Sequence, residues 1–131
     1  MIFEETVVLE VPFAEALART KEAFAAEGFG TLTEIDVQAT LADKIGKEMD
    51  PYVIVGACNP GLAGQALDAE PQIGVLLPCN VVVRQIGGNV VVEAMDPGLM
   101  ATIVGTESIR PVADEARRLV SNAMERLASS Q

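Results

Sequence analysis

The sequence predicts a two-layer α+β sandwich, a five-stranded and mainly antiparallel sheet with long helices on one face. Three observations carry that prediction. Residues 2–11 alternate, with Phe3, Val7, Leu9 and Val11 on one side and Glu4, Thr6 and Glu10 on the other; Glu5 is the exception, and the pattern is that of a strand covered on one face. Two β-branched runs, Cys79–Ile86 and residues 89–95, flank Gly87-Gly88, a hairpin signal because the favoured two-residue turns need positive φ. Two long segments, one near each end, carry apolar residues at helical spacing.

Taken in order, the first strand gives way at Pro12, which suits the first turn of a helix. Phe13, Ala16, Leu17, Thr20 and Phe24 form its stripe, and Gly28 is a natural stop. Gly30–Asp36 reads as a short strand of poor alternation. Asp36 is placed to cap a short helix over 38–46 that contains Leu41 and Ile45 and ends at Gly46. Residues 52–57 have no alternation, which predicts a strand buried on both faces or a central strand. Asn59 is placed to cap a helix that starts at Pro60, presents Leu62, Ala63, Ala66 and Leu67, and stops before Pro71.

After the hairpin, Asp96-Pro97 repeats the cap-then-proline signature and predicts a short helix near 97–103. The last helix is expected to begin at Thr106 or Ser108, with a stripe of Ile109, Val112, Ala113, Ala116, Leu119, Val120, Ala123 and Leu127. One core is expected between sheet and helices, built mainly from Phe3, Val7, Leu9, Leu17, Phe24, Val53, Val55, Val81, Val83, Val90, Val92, Val112, Leu119 and Val120. The 131 residues read as a single domain, 1–131.

Composition excludes several functions. Nineteen acids against nine bases give a formal charge of −10, a surface that repels nucleic-acid backbones and anionic membranes. Histidine is absent, which removes Ser-His and Cys-His couples and the commonest zinc ligand. Neither a Walker-type phosphate loop nor a GxGxxG fingerprint occurs. No apolar run reaches the roughly 20 residues that span a bilayer, and the first residues lack the basic patch and apolar core of a signal peptide. The expected compartment is the cytosol, where two cysteines are expected as thiols.

The candidate site is two Cys-Asn pairs, Cys58-Asn59 and Cys79-Asn80, which hold both cysteines of the chain. If strands 52–57 and 79–86 are antiparallel neighbours, both pairs fall at one edge of the sheet. Cys58 then precedes a helix N-terminus, where the partial positive charge favours a negative sulfur and makes it the more reactive thiol. Asn59 and Asn80 add amide donors. The set suits a small ligand or sulfur species, thiol redox chemistry, or a soft metal such as Cu(I). Two thiolates are too few for a closed tetrahedral metal site in one subunit, so no metal is assigned. Inert, buried cysteines in a structural or interaction domain are the alternative. Among other residues, Glu34 and Asp36 read as a solvent face and a cap rather than an acid/base pair. Met49, Met95 and Met100 read as core filler, with a soft-metal rim as the sharper alternative. Arg84 reads as a salt-bridge partner, and Tyr52 as core.

The stretches Gly28-Phe-Gly-Thr-Leu-Thr-Glu-Ile-Asp36, Val55-Gly-Ala-Cys-Asn-Pro60, Ala69-Glu-Pro71 and Leu76-Leu-Pro-Cys-Asn-Val-Val-Val83 resemble the family catalogued as domain of unknown function 302. The resemblance covers nearly the whole chain. It implies a β-α-β₄-α domain similar in outline to the repeat of the TATA-box-binding protein, and it implies a homodimer. It implies no activity, no cofactor and no catalytic residues. DNA binding does not follow from likeness of fold, and the charge opposes it.

Overall fold

The computed structural model describes residues 5–130. In chain order these form β1 (Glu5–Leu9), α1 (Phe13–Ala25), β2 (Gly30–Asp36), α2 (Val37–Ile45), β3 (Tyr52–Cys58), α3 (Pro60–Ala69), a 3₁₀ segment (Pro71–Leu76), β4 (Cys79–Ile86), β5 (Asn89–Ala94), α4 (Gly98–Val104), a 3₁₀ turn (Glu107–Ile109) and α5 (Arg110–Ser129). The five strands make one sheet of order β1-β5-β4-β3-β2, and every neighbouring pair is antiparallel. β1 therefore forms one edge and α1 carries the chain to the other. Leu9 pairs with Val90, Val7 with Val92 and Val92 with Val83, so one set of alternating residues forms continuous rows across the sheet.

Those rows are the floor of the main core. Val7, Leu9, Val53, Val55, Val81, Val83, Val90 and Val92 pack there against Ala16, Phe24, Val120, Met124 and Leu127 of α1 and α5. Each such side chain, fully buried, contributes about 1.5–3 kcal/mol of hydrophobic stabilisation. Leu17 and Leu119, expected inside, are half-buried at its rim. Phe3 lies outside the described residues. Val112 belongs to a second, smaller cluster with Ala66, Ile73, Met100 and Ile109, built by α3, α4, the start of α5 and the two 3₁₀ segments.

Several expectations shift. The strand Gly30–Asp36 is exposed along its length, because β2 is an edge strand with a bulge between Thr31 and Thr33. The short helix after Asp36 forms, and its cap accepts from the Ala39 N–H at 2.9 Å, yet none of its residues is buried and Ile45 is 70% exposed. Leu67, expected on the apolar face of α3, is 42% exposed. The final helix starts at Arg110 because a 3₁₀ turn occupies 107–109. Glu34 pairs with Lys21. Arg84 pairs across the hairpin with Glu93 at 2.6 Å. Tyr52 is half-buried beside Arg84 and faces away from its buried neighbour Val53.

Candidate functional site

The site lies where β3 ends and β4 begins. Ala57 and Cys79 are direct cross-strand partners, and Cys58 is one residue beyond. With strands ~4.8 Å apart and a rise of ~3.4 Å per residue, the two cysteine Cα atoms are roughly 6 Å apart, inside the range a disulfide spans. Both thiols are free.

Two steric locks hold this corner. The first is at Asn59. Its Oδ1 accepts the Leu62 N–H at 3.2 Å, and Pro60, lacking an N–H, opens α3 without leaving a donor unmet. The Asn59 amide nitrogen lies against Gly28: a Cβ there would come within 2.9 Å of it, and Gly28 has φ +85°. Only glycine meets both conditions without strain. The second lock is at Gly56. A Cβ on it would lie 2.1 Å from Thr33 Oγ1 and 2.8 Å from Pro78 Cγ. The missing side chain lets Pro78, which follows a cis peptide bond from Leu77, lie on the sheet and deliver Cys79 to the start of β4.

Cys58, Asn59 and Cys79 line one small, almost wholly apolar cavity of about 30 Å³. Phe29 and Ala57 of the main core form one side; Leu62, Ala66, Met100 and Val112 of the smaller cluster form the other. The cavity thus sits in the seam between the two clusters. Its size holds one or two water-sized species. Burial, and to a lesser degree negative charge on Cys58, push the Cys79 thiol up to about 11. Cys79 is therefore a neutral S–H at pH 7. Cys58 is half-buried at the mouth of α3.

Asn80 stands elsewhere. It pairs with Gly56, is exposed, and is not among the cavity's lining residues. Sequence reasoning brought Cys58, Asn59 and Cys79 to one edge and missed what surrounds them. Gly28, Gly56 and Pro78 were present as motif residues, but their role is visible only as a contact across elements. Met100, 3% exposed, reaches the site from α4. Among the described residues no group of three or more Cys, Asp or Glu side chains gathers as a metal site. No described helix is long and apolar enough to cross a membrane.

Sheet order, helix placement and this corner define a small antiparallel α+β domain with a two-thiol cavity. The chain belongs to the family described as domain of unknown function DUF302, whose model matches residues 5–127. It is similar to the crystal structure of an uncharacterized conserved DUF302 protein from Bacillus stearothermophilus. The two are 27% identical, with a TM-score of 0.87 over 96% of this chain and 98% of that one. No curated protein matches the chain.

Proposed function

We propose that this domain is a ligand-binding module that holds one soft, atom-sized species, such as a sulfane sulfur, at the Cys58–Cys79 cavity. The observation that carries the reading is that two free thiols line a single apolar cavity of about 30 Å³. Cys58 makes the bond, since it is the thiol next to the helix N-terminus; Cys79 and the apolar wall enclose what is bound. In sulfur loading, the Cys58 thiolate attacks a sulfane sulfur of an inorganic polysulfide. A bond forms between Cys58 Sγ and that sulfur, the adjoining S–S bond breaks, and its electron pair leaves on the shortened polysulfide. The proton given up by the thiol goes to solvent.

A dithiol redox enzyme is the weaker reading. The attacking species is the thiolate, and burial raises the Cys79 thiol above its ordinary value, which lowers its thiolate share near neutrality. Cys79 would resolve a mixed disulfide slowly.

The test is mass spectrometry of reduced protein exposed to inorganic polysulfide. The expected product carries one added sulfur on the Cys58 peptide, persists in C79S and is absent from C58S. Equal loading of both cysteines, or none in the native protein with loading only after denaturation, would overturn the reading.

Homodimerisation belongs to the same proposal. Its support is the free edge of β2, with Leu32 65% and Ile35 48% exposed; unpaired edges of this kind are commonly covered. Light scattering at micromolar concentration should give twice the 13.8 kDa chain mass; a monomer would refute the dimer without touching the cavity.

A further inference from the structure

We infer that the soft ligand matching the whole cavity is monovalent copper, Cu(I), held by the sulfurs of Cys58, Cys79 and Met100; this rests on the soft-ligand reading above. The two thiols alone suit many soft species. The third sulfur narrows the choice. Met100 lines the same cavity from α4, and a thioether has no proton to donate and no charge. Toward a sulfane sulfur it is a bystander; toward a soft cation its lone pair is a ligand.

The rest of the site fits a cation of this kind. The lining contains no carboxylate, so magnesium and calcium lack the oxygen ligands they require. Three sulfurs leave zinc's closed tetrahedral set incomplete. Thiolate and thioether donors select Cu(I) among biological metals, and a closed-shell ion accepts three sulfur donors without a fourth. About 30 Å³ holds one ion stripped of water. Ten excess negative charges draw cations toward the chain.

Binding balances simply. The Cys58 and Cys79 S–H bonds give way to two Cu–S bonds, and two protons leave. Met100 donates a lone pair, and copper keeps its oxidation state. Affinity therefore falls as pH drops.

The experiment titrates reduced full-length protein anaerobically with Cu(I), in competition with a coloured bidentate Cu(I) chelator. One equivalent should be withdrawn from the chelator. C58S and C79S should each lose more than the roughly 10–100-fold that even outer partners of a metal site carry. M100L keeps the side-chain volume; it should bind about tenfold more weakly or worse while retaining polysulfide loading at Cys58. No withdrawal by the native protein, or M100L binding like the native protein, would overturn the inference. Polysulfide loading without copper binding would leave the soft-ligand reading standing and remove this one; loss of both would remove both.

Discussion

The chain contains the dipeptide Cys-Asn twice, and the two copies do different things. Cys58-Asn59 closes a strand and opens a helix: Asn59 spends its carbonyl oxygen on the Leu62 N–H and presses its amide against Gly28. Cys79-Asn80 opens a strand after Pro78. Asn80 faces solvent over Gly56, while Cys79 turns toward Ala57 and the cavity. Identical residues thus diverge because one pair sits at a strand-to-helix corner and the other inside a ladder, where successive side chains face opposite ways. The two sulfurs share a cavity, but one is buried into neutrality and the other lies at a helix mouth.

The comparison breaks most severely at Gly56. Gly56→Ala forces a methyl group into Thr33 and Pro78 and should cost about 1–3 kcal/mol, measured by urea denaturation. Gly30→Ala, where nothing lies within 4 Å of the added Cβ, should stay within about 0.5 kcal/mol. Equal losses would mean that Pro78 does not depend on the gap.

Alkaline pH should expose Cys79 next. Its folded value of about 11 lies above its ordinary 9.0, so the unfolded chain ionises first. The resulting stability is fully present below pH 9 and is lost as pH rises toward 11. The loss is on the order of 1–2 kcal/mol after discounting for partial exposure. Cys79→Ala should flatten that part of the stability–pH curve; an unchanged slope would place the titration elsewhere.

The asparagines give the smaller effects. Asn59→Ala removes a helix cap and should cost about 1 kcal/mol. Asn80→Ala, on the exposed face, should cost less than about 0.5 kcal/mol. Reversed sensitivities would contradict the assignment of Asn59 as the structural partner of its cysteine.

Much of this arrangement was legible in the sequence. The alternation of Val7 and Leu9, the Gly87-Gly88 turn, the unbroken apolar run of β3 and the Asn59-Pro60 cap each report a local constraint, and each appears as expected. The less legible features depend on neighbours. β2 looks like any short strand until its place at the sheet edge leaves it uncovered. Ile73 falls in a stretch to which the pattern assigns no element, yet it is 1% exposed because α3 and α4 close over it. Met100 reads as core filler or a soft-metal rim alongside Met49 and Met95, and only the docking of α4 sets it at the cavity. Asn80 was grouped with Asn59 on the likeness of two dipeptides, and strand register separates them.

The most direct measurement is iodoacetamide labelling of the native, reduced protein between pH 7 and 11, with each cysteine peptide quantified by mass spectrometry. Cys58, the thiol at the helix mouth, should be modified faster than Cys79 at pH 7–8, and Cys79 should gain reactivity only as pH approaches about 11. Cys79 labelling at the Cys58 rate, or ahead of it at pH 7, would contradict the division of roles between the two thiols.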